Sequence, residues 1–386
     1  MDRKNHQKHI CLVYEFLSEQ GGLEREIIIH ANFLKEAGFK VTILTCHLDK
    51  KILKLLPFDN LNIKTLGIFN TKWEWLNLAL CMLGLNKLGT INPDAFLTYS
   101  FPANYMIRNK KTPKINYVNH YPHFLYLSDE EKKEWSEGTQ GIKRTIAVWL
   151  SRLVGNHLKK VDKKLIKKNK LIFINSQFTK KNLDLLYNMN SIVSYPPLDR
   201  RFKPVPQTIK EKFIFSSSRI IPDKKYEWLI EALSYSKYKL PLYLAGSVEE
   251  NYKKKLLAYA KECNILLKFL GRLTTDEIMP YYSSAAVFAF PTPGEDFGLV
   301  PAESLACGTP VVVWGDGAGP TEQIIDGLNG FLAKPYDKKD FGAKIDKCIA
   351  SNIKKKNHLK IIASAKKFSY PEVKKQFLAE ISRVLN

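Results

Sequence analysis

Glu295 and Glu303 are two carboxylates with seven residues between them, in the stretch Gly294-Glu-Asp-Phe-Gly-Leu-Val-Pro-Ala-Glu-Ser-Leu-Ala-Cys-Gly308. Glycines at 294 and 298 let the backbone around Glu295 turn tightly and bring its amides close to a ligand. Glu303 falls in the first turns of a helix expected from about Pro301 to Gly308, where the macrodipole favours an acid. Glu295 has no such structural reason, because it belongs to the loop. A second cluster stands upstream in Ser216-Ser-Ser-Arg-Ile-Ile-Pro-Asp-Lys-Lys-Tyr226, where Arg219 and Lys224 follow a strand end and precede a helix. Two fixed cations beside a helix N-terminus suit a diphosphate. The plainer reading is two solvated charges in a lysine-rich chain.

Such loops need strands to hold them. Apolar runs at 9–16, 40–47, 95–100, 115–120, 171–176 and 191–196 alternate with helical patterns, the first of them in 21–38 ahead of Gly38. Prolines 196, 197, 204 and 206 then mark a linker, since they cannot donate backbone hydrogen bonds and favour extended chain. The alternation resumes with runs at 212–219, 240–247, 265–272, 285–292 and 309–316. The pattern predicts an α/β protein of two doubly wound, Rossmann-like parallel-sheet domains, residues 1–200 and 207–365. In such sheets ligands bind at the carboxyl ends of the strands, where both clusters fall.

The 386 residues carry 60 Lys plus Arg against 38 Asp plus Glu, a net charge of +22 that favours anionic partners. The six cysteines are scattered, which argues against zinc or a disulfide framework and for a reducing compartment. The N-terminal residues show no signal-peptide pattern, so a cytoplasmic location is expected. Segment 73–89 is apolar but too short and too interrupted by Glu74, Asn77 and Asn86 to span a bilayer, and reads as a buried helix, with a membrane-dipping helix as the second reading. From 150 to 168, Leu153, Val154, Leu158, Val161 and Leu165 form a stripe expected to pack on the core, while six lysines occupy other faces. Those lysines suit solvent or an anionic membrane surface. Nucleic acid is disfavoured, because no recognition motif accompanies them. No G-x-G-x-x-G follows the first strand, which argues against a dinucleotide oxidoreductase.

Taken together, the blocks resemble the retaining glycosyltransferases of family 4, with their E-x7-E signature and two-domain GT-B fold. Residues 290–312 and 216–232 match the family's two main blocks. Leu242–Ser247, Leu267–Leu273 and Glu322–Leu332 follow in the family's order. Gly21-Gly-Leu-Glu-Arg25 resembles its first glycine loop, and Tyr117-Val-Asn-His-Tyr-Pro-His123 its His-x-Pro loop. Residues 366–386 resemble the terminal helix that packs back on the first domain.

The resemblance implies transfer of a hexosyl unit from a nucleotide-diphosphate sugar, with retention of configuration and with no metal or other cofactor. It implies that Arg219 and Lys224 hold the diphosphate, Glu303 the ribose, and Glu295 the transferred sugar. The amides of Phe297, Gly298 and Leu299 would bind the sugar hydroxyls and phosphate, and Leu273 in its loop would contact the base. Gly21 and Gly22 would admit the phosphates, and His120, preferred to His123, would face the sugar near the acceptor. Lys225 departs from the family's glycine and is expected to tighten or alter that turn. The wording is most similar to mannosyltransferases of lipid-linked or surface glycans, so GDP-mannose is the expected donor, with a UDP-sugar as rival. The expected acceptor is a glycan or a polyprenyl- or other lipid-linked chain, met peripherally at the inner membrane face through the 150–168 helix. The competing readings are a catalytically silent nucleotide- or glycan-binding protein of this fold and, less favoured, a nucleotide-sugar epimerase.

Overall fold

The computed structural model describes residues 7–18, 22–49, 61–68, 71–128, 130, 132 and 141–385. The chain divides into two compact units. The first comprises Met1–Asn175, Thr179–Tyr195 and Lys374–Asn386; the second comprises Ser176–Phe178 and Pro196–Val373.

The first unit is built on a seven-stranded sheet. Its strands are β1 (His9–Leu17), β2 (Lys40–Leu48), β3 (Asn62–Thr65), β4 (Ala95–Thr98), β5 (Lys114–Val118), β6 (Leu171–Ile174) and β7 (Ile192–Val193). They lie in the order β3-β2-β1-β4-β5-β6-β7, every pair parallel. Every residue of β4, β5 and β6 is buried, as both-face coverage by helices demands, and β6 is accordingly an unbroken apolar run, Leu-Ile-Phe-Ile, while β5 carries buried Lys114 and Asn116. β3 has no such run: it is an edge strand of alternating exposure, Asn-Ile-Lys-Thr, and sequence patterning does not pick it out. The helix Gly22–Glu36 buries Ile27, Ile28, Ala31, Phe33 and Leu34 and stops before Gly38, whose φ of 87° closes it. The terminal helix Tyr370–Leu385 supplies Phe377, fully buried, whose ring stacks on His30 at 4.4 Å and on Phe173 at 5.0 Å.

Two helical expectations need correction. Leu153 and Val154 are exposed, at 63% and 41%; the buried side of helix Gly141–Ile166 carries Val148, Ser151, Gly155, Asp162, Leu165 and Ile166. Asp162 is tolerated there because Tyr126 and Tyr187 donate to its Oδ2 at 2.9 and 2.6 Å. Helix Glu74–Met82 is half-buried: Asn77, Leu78 and Cys81 face the core, whereas Trp73, Trp75 and Leu76 are exposed. Among the described residues no helix is long and apolar enough to cross a membrane.

The second unit repeats the plan with six parallel strands in the order β10-β9-β8-β11-β12-β13. These are β8 (Ile214–Ser217), β9 (Leu242–Ala245), β10 (Leu267–Gly271), β11 (Val287–Phe290), β12 (Val311–Trp314) and β13 (Gly330–Ala333). In each sheet the first strand in sequence lies inside, flanked on one side by its two successors and on the other by the fourth. The chain thus reverses direction across the sheet beside β1 and beside β8.

Candidate functional site

Strand order decides which loops meet. β8 and β11 are neighbours although β9 and β10 separate them in sequence. The loops that leave Ser217 and Phe290 therefore start side by side at the switch point of the second sheet, the usual ligand crevice of doubly wound sheets. There Lys224 Nζ donates to Glu295 Oε2 in a short ion pair, the two side chains being 17% and 22% exposed. Arg219, on the same loop, is exposed and makes no ion pair among the described residues.

Backbone geometry sets this loop. Ser218 crosses directly over Gly246, where a Cβ would lie 1.7 Å from the Ser218 carbonyl oxygen, so only glycine fits. A 3-10 turn, Pro222–Lys224, then delivers Lys224. Lys225 follows at φ 53°, a left-handed conformation, and helix Tyr226–Ser234 begins. Lysine thus holds a left-handed backbone that a glycine would adopt more cheaply.

The Glu295 loop is held from behind. Gly319 N donates to the Glu295 carbonyl at 2.8 Å, and Gln323 Nε2 donates to those of Phe297 and Gly298 at 2.7 and 2.8 Å. Gly294 N donates to Asp316 Oδ2 at 3.1 Å, and the Phe297 ring packs edge-on against Phe368. Gly294 and Gly298 have φ of 58° and 69°. With these carbonyls turned into the protein, the amides at the head of helix Leu299–Ala306, Leu299 among them, belong to the set a helix leaves without intrahelical partners.

Glu303 requires a correction. The helix begins at Leu299, two residues earlier than expected, because Gly298 already leaves the loop in a conformation open to glycine. Glu303 consequently lies in the second turn, and its carboxylate is satisfied by a side chain: Tyr282 Oη donates to Oε2 at 2.7 Å. Since the tyrosine proton is committed there, Ser217 Oγ donates to Tyr282 at 2.7 Å, which ties Glu303 back to the end of β8. Burial, and then the Glu303 charge, hold the Tyr282 hydroxyl far above its ordinary pKa, so it remains a donor.

The remaining expected residues are spread more widely. Leu273 is half-buried just after β10, next to the capping box that Thr274 and Glu277 make for helix Thr275–Ser284. Gly22 and His120 stand in the first unit, and Gly21 lies outside the described residues. A Cβ on Gly22 meets nothing within 4 Å, so the chain itself does not demand glycine there. His120 is exposed; its Nδ1 faces the Tyr121 carbonyl at 2.9 Å and, since a carbonyl only accepts, carries a proton, so that in the neutral ring Nε2 is the acceptor. Its ring stacks on His123 at 4.5 Å, so both histidines share one place.

Gly246, Tyr282, Asp316, Gly319 and Gln323 were not singled out from sequence. Gly319 is as constrained as Gly246, since a Cβ there would lie 2.2 Å from the Asp296 carbonyl oxygen. In the sequence both glycines follow strands, and Gly246 lies in the Leu242–Ser247 block.

Residues 199–368 match the family model of glycosyl transferases group 1. The match falls within the second unit and covers under half of the chain. The chain is similar to a D-inositol 3-phosphate glycosyltransferase of Nocardiopsis dassonvillei, at 40% identity over 77 residues, 20% of this chain and 18% of the relative. It is similar to the serotype-specific mannosyltransferase WbdA of Escherichia coli, at 29% identity over 149 residues, 37% of this chain and 18% of the relative. The chain thus spans about a fifth of the length of these two relatives. A poly(ribitol-phosphate) alpha-N-acetylglucosaminyltransferase of Staphylococcus aureus aligns more fully, at 24% identity over 88% of this chain and 67% of the relative. In fold, the chain matches sucrose-phosphate synthase from Thermosynechococcus elongatus with a TM-score of 0.74, 17% identity and 98% and 99% of the two chains covered. It also matches Anabaena HepE, solved with UDP-glucose, with a TM-score of 0.71, 17% identity and 97% and 99% covered. The fold is GT-B, composed of two Rossmann-like domains.

Proposed function

We propose that this chain is a glycosyltransferase that moves a hexosyl unit, with retention of configuration, from a nucleotide-diphosphate sugar to a hydroxyl of a glycan or a polyprenyl- or other lipid-linked acceptor. The observation that carries the reading is the Lys224–Glu295 pair at the switch point of the second sheet, with Glu303 held next to the end of the same strand, β8. Breaking the bond between the anomeric carbon and the diphosphate sends an electron pair to the leaving phosphate. Arg219 and Lys224 neutralise that charge without a metal, and fixed cations do so without reorganisation. The lysine leaves Glu295 for the phosphate, and the freed carboxylate then faces the positive charge developing on the sugar ring. Glu303, oriented by Tyr282, accepts from the ribose hydroxyls. The amides of Phe297, Gly298 and Leu299 hold sugar and phosphate, and Leu273 borders the base. Gly21 and Gly22 make room for the phosphates, and His120 Nε2 accepts from a sugar hydroxyl.

For the donor we favour GDP-mannose, supported by the local similarity to a mannosyltransferase. A UDP-sugar is the second reading, favoured by the UDP-glucose held in HepE. A thermal-shift panel of GDP-, UDP- and ADP-sugars decides between them, because a ligand of the native state raises Tm with RT ln(1 + [L]/Kd). The anomeric configuration of the product, read by NMR, tests retention. No shift with any nucleotide sugar would remove the proposal.

The acceptor is met at an anionic membrane surface. Helix Gly141–Ile166 supports this: Trp149, Leu153 and Val154 are exposed ahead of exposed Lys160, Lys163 and Lys164, an apolar end followed by a basic one. Flotation with anionic and neutral vesicles tests it, with recovery on the anionic ones alone expected.

A further inference from the structure

A cavity of about 560 Å³ opens in the second unit, lined by residues from three separate stretches of chain: 207–212, 284–286 and 348–358. Its size falls within the range of small-molecule sites. Four of its lining side chains, Lys212, Lys354, Lys355 and His358, are cationic or able to become so, and none of its lining residues is an acid. Apolar Ala286, Ile349 and Cys348 complete it, and Cys348 is buried.

Lys354 distinguishes this place from an ordinary lysine-rich surface. Its ammonium is tethered by donation to the Ser283 carbonyl at 2.7 Å and to the Ala285 carbonyl, so it is fixed in position. No carboxylate pairs with it among the described residues. Burial lowers its pKa to about 8, the sign of a cation short of compensation. Burying such a group is costly unless an anion joins it, and a bound anion would supply what the protein withholds. His358 adds rigidity: its ring lies against Gly308, where a Cβ would come within 2.3 Å of it.

We infer that this cavity is a second ligand site, separate from the Lys224–Glu295 crevice, and that it binds a small organic phosphate on Lys354, Lys355 and Lys212. Isothermal titration with glycerol 3-phosphate tests it, at constant ionic strength. The wild-type chain and Lys224→Ala are expected to bind it equally, whereas Lys212→Ala/Lys355→Ala weakens binding by about tenfold or more, as loss of charge-assisted hydrogen bonds requires. Lys354→Met is expected to abolish binding, and the double variant, altered only at exposed positions, keeps the test valid if Lys354→Met does not fold. Three results overturn the proposal: no binding by the wild type, unchanged affinity in the double variant, or loss of binding on Lys224→Ala alone. The last would place the phosphate in the donor crevice instead.

Discussion

The two sheets share one strand order over six strands, and the corresponding strand pair flanks the switch point in each, yet the chemistry there differs. In the second unit, the loops after β8 and β11 bring a lysine to a glutamate, Lys224 to Glu295. In the first, the ends of β1 and β4 bring a glutamate to a serine: Ser100 Oγ donates to Glu15 in a short hydrogen bond. Burial raises the Glu15 pKa, with that bond opposing the shift. Glu26, nearby in sequence to the first glycine loop, follows the same pattern. It is buried, accepts from Tyr117 and Asn119, and is pushed up to about 7 by desolvation. At its switch point the second unit pairs Glu295 with a cation that an anionic ligand can recruit; the first keeps Glu15 and Glu26 with neutral donors, suited to hydroxyl groups. A common fold thus prescribes where a ligand sits but leaves its charge to the loop residues.

Changes at each end break or sharpen that contrast. Lys224→Ala is expected to lower kcat/KM for the donor by about 10²–10³, the usual loss for a fixed group that stabilises developing charge. A loss below tenfold would make the ion pair structural only. Next comes Glu26. Below the unfolded value of 4.5 the acid is protonated in both states; from there to about 7 the unfolded chain ionises while the folded one keeps its proton. Its stabilising contribution is therefore full below pH 4.5 and is lost as pH rises through about 7, a change of about 3 kcal/mol. Urea melts from pH 4 to 8 should show that slope in the wild type and lack it in Glu26→Gln; parallel curves would mean that Glu26 is already ionised. Smaller still, Glu295→Ala should reduce kcat by about ten- to a hundredfold with donor affinity nearly kept. Glu303→Ala should do the reverse and raise donor KM by about ten- to a hundredfold. Identical effects on kcat and KM in both variants would erase the distinction between the two carboxylates. The smallest effect is expected from Lys225→Gly, which relieves a left-handed lysine: a gain of at most about 1 kcal/mol in thermal or urea unfolding, with turnover unaltered.

Much of the fold was legible because parallel strands buried on both faces leave unbroken apolar runs, as in Leu171–Ile174 and Val287–Phe290. β3 and β13 escaped notice for opposite reasons. β3 is a half-exposed edge without an apolar run, and Gly330-Phe-Leu-Ala333 opens on a glycine directly after the turn-like Asp326-Gly-Leu-Asn329, so it reads as part of its loop. Leu153 and Val154 were read as core because periodicity shows that a helix has an apolar side but not which side meets the sheet.

By itself, the sequence determined the α/β alternation, the linker prolines, and the residue types at the strand ends: Arg219, Lys224, Glu295 and Glu303. These depend on local pattern, since strand runs, turn glycines and loop charges are set within a few residues. Only the tertiary structure decided that Lys224 meets Glu295 across 71 positions, and that Glu303 answers to Tyr282 rather than to the helix dipole. It alone decided that Gly246 and Gly319 admit no side chain. Strand order creates each of these contacts, and no short stretch of chain encodes which distant strand will lie beside it.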